Sequence, residues 1–256
     1  MSSLLMAYEK DCQTSRRTAP DLSACLMKAH RQLGRNPDPV FAKVNAKIID
    51  LLEADANLVE HAYHNRHHVC DVVCAVVLFL KQTDLNPDAP ARVVECMITA
   101  ALGHDLHHDG LGTMSALDVE RRSAKAVLAI GQEEDLPAAD LALIEGLILA
   151  TYPPVQRALR QTLGIDPGPG ANDVLALMFG EADVLASLTP TFGKVLSIAL
   201  SAEWRKAGLL VPSMPDEDAG RALFLSAYRR VTPTAQRLGV DVMVSDQLQN
   251  LQRKVS

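Results

Sequence analysis

The sequence is poor in aromatic residues and has no long apolar run. Aromatic side chains make up 4% of its 256 residues, although apolar residues make up 48%. The core must therefore be built mainly from aliphatic side chains. The longest apolar run, Val72–Leu80, is nine residues long, whereas a membrane-spanning helix needs about 20. We therefore expect no membrane-spanning segment.

Basic charge and paired cysteines are also scarce. The chain has 25 basic and 31 acidic residues, a net charge of −6, which argues against a non-specific nucleic-acid binder because such proteins need a basic surface. The five cysteines are odd in number and form no C-x-x-C pair, as is typical of reduced thiols in the cytoplasm. The N-terminus has no charged region of the kind that opens a signal peptide. We expect a cytoplasmic protein without nucleic-acid or membrane partners, and a homodimer stays open.

The apolar pattern is helical along almost the whole chain. Apolar residues recur about every 3.6 residues, without the alternation of a strand. This predicts an all-α protein with a single domain over residues 1–256. The predicted helices cover residues 21–33, 38–54, 64–82, 90–106, 115–131, 137–150, 154–163, 172–187, 191–207, 218–230 and 243–254. Proline-rich segments at 86–90, 166–172 and 211–218 separate some of them.

Histidine is concentrated in one part of the chain. Seven of the eight histidines lie between His61 and His108. In the first group, His64, His68 and Asp71 have the spacing of residues on one helix face, and apolar residues follow them. Burying such polar groups without partners costs several kcal/mol. We therefore predict that a metal ion satisfies them.

Further candidate ligands come from two later segments. His104 and Asp105 follow an apolar helix and are flanked by glycines, which allow the chain to turn. Asp183 lies at the edge of the apolar stripe of another helix, and an exposed position is an equally open interpretation for it. Histidines and carboxylates from facing helices suit Zn, Mn, Fe or Mg.

Two of these segments resemble motifs of a known family. The run Tyr63-His64-Asn65-x-x-His68-x-x-Asp71-Val72 resembles the Y-H-N-x-x-H-A-x-D-V motif of class I 3′,5′-cyclic-nucleotide phosphodiesterases, within the HD superfamily of metal-dependent phosphohydrolases. The run His104-Asp105-x-x-His108-x-Gly110 resembles their H-D-x-x-H-P-G motif, with Asp109 in place of proline. A third segment, 148–151, is similar to their I-L-A-T, although Tyr152 stands where the family has aspartate.

The resemblance implies which residues bind the metals. A first metal, usually zinc, would be held by His68, His104, Asp105 and Asp183. Asp105 would also bridge to a second metal, usually magnesium or manganese. The cofactors expected are therefore two divalent ions drawn from Zn, Mn, Fe and Mg.

It also implies roles around the metals. His64 would be the general acid that protonates the leaving O3′, and a water bridging the metals would be the nucleophile. His108 would orient the water shell of the second metal. Three residues of the first motif would support the ligands from behind, namely Tyr63, Asn65 and Asp71. Glu120 would touch the metal-bound water, or would simply pair with Lys125 on its own helix.

The implied fold is a compact HD-domain helical bundle with a binuclear metal site. The metal-binding core would span about 61–190, with packing helices in 1–60 and helices in 191–256 completing the substrate pocket. The family reads the purine with a glutamine in a segment like S-Q-x-G-F-I. The counterpart here keeps Phe224 but has Arg221 in place of the glutamine, and we expect both residues to contact the substrate. Arg221 either binds an extra phosphate or is a solvated helix residue beside Asp218.

The function implied is hydrolysis of a 3′,5′-cyclic nucleotide to the 5′-monophosphate. No histidine follows His108, which disfavours HD subfamilies whose second metal is held fully by protein ligands. Two alternatives stay open. One is an HD nucleotidase or a hydrolase of (p)ppGpp or deoxynucleoside triphosphates, and the other is a catalytically silent metal or ligand sensor. No role is predicted for His61, His67 and His107.

Overall fold

The computed structural model describes residues 1–55, 61–83, 91–109, 117–163, 170–209 and 211–253. Every regular element in these ranges is a helix, as predicted. The helices, numbered in chain order, are α1 Ser3–Ser15, α2 Leu22–Gln32, α3 Pro39–Ala54, α4 Arg66–Gln82, α5 Ala91–Gly103, α6 Asp118–Glu133, α7 Ala138–Leu149, α8 Pro153–Gln161, α9 Ala171–Asp183, α10 Leu185–Leu188, α11 Phe192–Lys206, α12 Asp218–Ala227, α13 Pro233–Leu238 and α14 Val240–Arg253. The proline-rich segment 86–90, Gly110 and residues 166–169 of the predicted loop lie outside the described residues.

Side-chain caps determine where several helices begin. Asp21 and Asp38 accept hydrogen bonds from backbone amides in the first turns of α2 and α3. Asn65 does the same for α4, and Thr232 for α13, where Pro233 takes the first helical position. These residues satisfy amides that have no partner within the helix.

The centre of the fold is α4, which packs against α2, α5 and α9, with α1, α10 and α13 also in contact. Apart from His68 and Asp71 near its beginning, its buried side chains are aliphatic or aromatic, namely Val69, Val72, Val73, Ala75, Val76, Val77 and Phe79. Every residue of α5 from Val94 to Gly103 is buried. The low aromatic content is therefore compatible with an extensive core, because branched aliphatic side chains fill it.

Gly103 lets α5 approach α6 closely. A Cβ atom at this position would lie 2.3 Å from Cγ2 of Val127 on α6, a distance that no carbon contact tolerates. The end of α5 is therefore held against α6, and the residues that follow Gly103 leave the helix at a defined place.

Some predicted boundaries differ from the structure. The helix predicted over 172–187 divides at Val184, where φ is −94° and ψ is 1°, so that Asp183 is the last residue of α9. The helix predicted from residue 64 begins at Arg66 because Asn65 caps it. The last helix begins at Val240 rather than 243, and the short α13 was not predicted.

Helix length bears on membrane insertion. No single helix in the described residues is both long enough and apolar enough to span a membrane. Helices α7 and α8 reach such a length only as a pair, and they are bent by 100° relative to each other.

Candidate active site

Asn65 shapes the first motif. Its side-chain oxygen accepts hydrogen bonds from the amides of His67 and His68, at 3.0 and 3.2 Å. Its amide group donates to the carbonyls of His61 and Ala62, at 3.0 and 3.2 Å. One side chain thus closes the turn before α4 and caps the helix. As a result His64 lies before the helix and His68 within its first turn, and they do not share one helical face as the spacing had suggested.

The second motif follows α5 as a tight turn. The amide of His108 donates to the carbonyl of Asp105 at 2.9 Å, and Ser123 on α6 donates its hydroxyl to the carbonyl of Leu106 at 2.6 Å. His107 has a φ of +67°, in the left-handed region where asparagine, aspartate and histidine are enriched among non-glycine residues. His107 is exposed, so its identity matters for the turn rather than for the chemistry.

The predicted metal ligands converge. The Nε2 atoms of His68 and His104 are 3.2 Å apart, and Oδ1 of Asp183 lies 3.1 and 3.4 Å from them. Oδ2 of Asp105 lies 3.4 and 3.3 Å from the same two nitrogens. Two ligand atoms about 2.0–2.1 Å from one zinc ion, at a tetrahedral angle, would be about 3.3 Å apart. The spacing of His68, His104 and Asp183 therefore fits ligands of a single ion.

Hydrogen bonding and burial fit a cation at this point. Nδ1–H of His104 donates to the carbonyl of Ala101 at 3.0 Å, which leaves Nε2 with its lone pair free to bind a metal. Oδ2 of Asp105 is buried and has no hydrogen-bond partner among the residues that the structure describes, which is costly unless a cation satisfies it. Burial alone would lower the pKa of His104, but the carboxylates of Asp105 and Asp183 outweigh it and raise that pKa. The site therefore attracts positive charge, and its His/Asp groups could hold a divalent metal.

Beside this group, Glu203 on α11 holds the imidazole of His64. Oε1 of Glu203 accepts a short hydrogen bond from Nδ1–H of His64. Oε2 accepts from the amides of Tyr63 and His64, at 2.9 and 3.2 Å. His108 stacks on His64, with ring centroids 3.7 Å apart and planes inclined by 17°. Three independent contacts from Glu203 and one ring stack thus fix the direction in which His64 points.

The same contacts separate the protonation states of the two histidines. Burial alone would lower the pKa of His64, but the hydrogen bond to Glu203 and the negative charges of Asp105, Glu203 and Asp183 together outweigh it and raise the pKa. Burial also favours the protonated form of Glu203, yet its hydrogen bond to His64 lowers the pKa of Glu203 to about 2. Burial, together with the neighbouring His64, lowers the pKa of His108 to about 4. These contacts therefore favour the charged form of His64 and the neutral form of His108.

The other predicted supporting residues have different surroundings. The hydroxyl of Tyr63 hydrogen-bonds with that of Ser187 at 2.8 Å, and its ring packs 5.0 Å from the ring of His68. Asp71 instead forms an ion pair with Arg16, at 2.6 Å. The partner of its carboxylate is thus an arginine and not one of the ligand histidines that it was predicted to support. Glu120 lines the cavity, and burial and the carboxylates of the metal site raise its pKa.

A cavity of about 880 Å³ opens onto these residues. At the metal end it is lined by His64, His68, Asp105 and Asp183, together with the predicted Glu120 and His108. This volume falls in the upper part of the range of about 300–1,000 Å³ typical of small-molecule sites. Apolar side chains of α11 and α12, among them Leu196, Trp204 and Phe224, form much of the remaining wall.

Of the two predicted substrate contacts, the structure brings only Phe224 to the cavity. Phe224 lines it and packs against Tyr228, with ring centroids 5.3 Å apart. The guanidinium of Arg221 is buried elsewhere and donates to the carbonyls of Ser187 and Thr189 and to Gln247 Oε1. These bonds involve both terminal nitrogens. Arg221, on α12, thus connects the segment between α10 and α11 to α14, and it does not face a phosphate in the cavity.

Comparisons with known proteins agree with this arrangement. Residues 63–127 match the family model described as 3′5′-cyclic nucleotide phosphodiesterase. Over these residues the chain resembles the class I cyclic-nucleotide phosphodiesterases. Its fold is similar to that of the Leishmania phosphodiesterase LmjPDEB1, solved in complex with IBMX, with a TM-score of 0.56 and 14% identity. The likeness covers 96% of this chain and 97% of that chain. Comparison with curated protein sequences gives no match.

The family match confirms the resemblance seen in the phosphodiesterase-like motifs. One residue of the site, Glu203, was not predicted from the sequence. Glu203 lies 139 residues after His64 in the chain, on a helix whose pattern marks it only as a charged residue. The one local signal was its position one residue before the single tryptophan, Trp204. Its function depends on α11 packing beside the turn that precedes α4, and the sequence does not show that packing.

Proposed function

We propose that this phosphodiesterase-like domain hydrolyses a 3′,5′-cyclic nucleotide to the 5′-monophosphate with two bound divalent metal ions. The observation that carries the proposal is the placement of His64 in one cavity with His68, Asp105 and Asp183, which form a single group with His104. A metal-ligand group and an oriented proton donor are the two components that cleavage of a phosphodiester requires.

The residues of the chain divide the chemistry between them. The four predicted ligands would hold the first metal, and Asp105 would reach the second. Bound metals would neutralise the phosphoryl oxygens and lower the pKa of a bridging water. Glu203 keeps Nδ1 of His64 protonated and holds the ring in one orientation, so Nε2–H is the proton available to the departing O3′.

His108 has a different place in this scheme from the one that the resemblance implies. Its ring lies against that of His64, and its pKa is lowered to about 4 by burial and by His64. As a neutral ring it adds no positive charge beside the protonated His64. We propose that His108 restricts the rotation of His64 as well as contacting metal-bound water.

The comparisons give no support to the two alternatives that the sequence left open, a hydrolase of linear nucleotides and a catalytically silent sensor. The family match and the fold likeness are both to phosphodiesterases, and neither points to hydrolysis of linear nucleotides or to a silent sensor. Silent relatives would also be expected to lack ligands, whereas all four predicted ligands lie together here.

A substrate panel tests the proposal. The purified chain is freed of metal with a chelator, reloaded with Mn²⁺, Mg²⁺ or Zn²⁺, and assayed with cyclic and linear nucleotides. We expect cyclic AMP or cyclic GMP to yield the 5′-monophosphate only in reloaded protein, and a His68→Ala variant to be inactive. Hydrolysis confined to linear nucleotides, or hydrolysis that is insensitive to chelation, would contradict the proposal.

A further inference from the structure

Four arginines line the cavity away from the metal ligands. Arg157 and Arg160 lie on α8, and Arg229 and Arg230 follow the end of α12. We refer to these four residues as the arginine wall. On α8, the cavity-lining positions Pro153, Arg157, Arg160 and Gln161 have the spacing of a single helical face. The helix therefore presents this face to the ligand space.

The acidic and basic residues that line the cavity come from different elements, the carboxylates from the turn after α5, from α6 and from α9, and the arginines from α8 and the segment after α12. All its acidic lining residues, Asp105, Glu120 and Asp183, belong to the metal end. The arginine wall has no lining carboxylate beside it, although the chain as a whole carries a net charge of −6. A substrate in this cavity therefore meets two cationic regions, the metal end once it is loaded and the arginine wall.

Three of the four wall arginines have no protein partner in the described part of the chain. Arg157, Arg229 and Arg230 are exposed, and their guanidinium groups take part in no hydrogen bond or ion pair with the described residues. Arginine stays charged at all physiological pH values and presents a planar donor set that matches a phosphate. Their positive charge is therefore available to an anionic ligand.

The backbone of the arginine wall is anchored on both sides. The guanidinium of Arg160 lies 4.4 Å from the ring centroid of Tyr228 and donates to the carbonyl of Ala227 at 3.4 Å. On the other side, buried Glu181 accepts from the amide and hydroxyl of Thr232, at 2.8 and 2.6 Å. The two exposed arginines between these anchors thus extend from a fixed segment, which lowers the entropy cost of binding a ligand.

We infer that the substrate carries a second phosphate group, which the arginine wall binds while the metal end holds the phosphate that is cleaved. The inference rests on the proposed function, since it assumes that the metal end takes the scissile ester. A cyclic mononucleotide has one phosphate and would leave the wall without a partner. Arg221, which the sequence had suggested for an extra phosphate, donates to backbone carbonyls instead. A 3′,5′-cyclic nucleotide that carries a further phosphate has this chemistry.

Binding to matched ligand pairs tests the inference without relying on turnover. Calorimetry with Mg²⁺, on a His64→Asn background that prevents hydrolysis, compares AMP with adenosine 3′,5′-bisphosphate and ApA with pApA. Members of each pair differ by one phosphate, and the phosphate that both members share is a monoester in the first pair and a diester in the second. We expect the added phosphate to tighten binding by about fivefold or more in at least one pair. A smaller difference in both pairs would overturn the inference.

Charge-matched variants show where the effect arises. The triple variant Arg157→Gln/Arg229→Gln/Arg230→Gln is expected to remove the preference for the added phosphate. The control Lys10→Gln/Arg17→Gln/Arg31→Gln changes the net charge equally at exposed positions that do not line the cavity, and it should keep the preference. A preference that survives in the first variant, or disappears in the second, would contradict the inference.

The proposed function is decided separately. Hydrolysis of bis-p-nitrophenyl phosphate by the unaltered chain loaded with Mn²⁺ requires the metal end but no second phosphate. Its absence would refute the phosphodiesterase proposal, while the calorimetric comparison would still decide whether the arginine wall binds phosphate.

Discussion

At His64, one carboxylate determines both the orientation of the imidazole and its protonation state. Glu203 contacts the ring and two backbone amides of the same turn, so movement of α11 would displace His64, the proposed proton donor. Such an arrangement depends on charge as well as on shape, because a neutral group in place of Glu203 could keep the hydrogen bond but not the raised pKa.

Substituting Glu203 therefore tests this coupling. In Glu203→Gln, the pKa of His64 should fall, because the carboxylate that raises it is removed. We expect kcat to decrease by roughly 10–100-fold and the alkaline limb of the pH–rate profile to move to lower pH, since His64 then loses its proton sooner. Glu145→Gln, at an exposed position of α7, is the control. An alkaline limb that does not move would disprove the role assigned to Glu203.

The turn at His107 gives a prediction that concerns stability alone. His107→Val would place a β-branched residue at a φ of +67°, and we expect the free energy of unfolding to fall by about 1–2 kcal/mol. His107→Gly should be nearly neutral, because glycine adopts this conformation without strain. Urea denaturation measures both variants. Equal stability of the valine and glycine variants would show that the backbone at this position is not strained.

Residue identities predicted part of the site and left another part open. The motifs predicted that His68, His104, Asp105 and His64 belong to one site, and the structure brings these four side chains together. The direction of the Arg221 side chain could not be predicted from the sequence, since a guanidinium can donate hydrogen bonds either to a phosphate or, as here, to three protein oxygens. Contacts such as that between Glu203 and His64 are formed only by the packing of distant helices, and one sequence does not reveal that packing.

Among the elements, the contact between α5 and α6 determines where the second motif leaves its helix. The Cα of Gly103 faces Val127, and an added methyl group would overlap it at 2.3 Å. The turn that carries His104 and Asp105 begins at the same point, so a shift of α5 would be transmitted to two metal ligands.

A pair of alanine substitutions tests the closeness of this contact. Gly103→Ala is expected to lower the free energy of unfolding by about 1–3 kcal/mol, because overpacking forces the helices apart. Gly146→Ala on α7 is the matched control, since nothing lies within 4 Å of an added Cβ, and it should raise stability by up to about 1 kcal/mol. If Gly103→Ala were as stable as the control, the close packing of α5 on α6 would be refuted.

The helical architecture was more predictable than its boundaries. Apolar periodicity indicated most helices because their buried faces are regular. It did not reveal the break at Val184, since neither proline nor glycine stands at this position and only the backbone angles change. That break places Asp183 at the end of α9, where its carboxylate can reach His68 and His104.

For the whole molecule, a bound metal would connect separate parts of the bundle. His68 belongs to α4, His104 follows α5, and Asp183 ends α9, so one ion would join three helices. Binding to the folded state alone stabilises a protein according to the ratio of free ligand to Kd. The metal site should therefore contribute to stability as well as to catalysis.

Metal removal tests this contribution. At a metal concentration about 100-fold above Kd, we expect a Tm about 5–10 °C higher than in chelator. The His68→Ala variant should show the same Tm with and without metal, because a ligand is missing. A metal-dependent Tm in that variant equal to that of the unaltered chain would mean that the ion binds elsewhere.

The central claim is that His64 supplies the proton in a metal-dependent cleavage of a cyclic nucleotide, and His64→Asn tests it most directly. Turnover of a 3′,5′-cyclic nucleotide and the metal content of the same protein sample are measured together. We expect the metal content to be unchanged and kcat to fall by roughly 10²–10⁴-fold, the usual contribution of general acid catalysis. Unchanged turnover in a fully metal-loaded variant would contradict the mechanism.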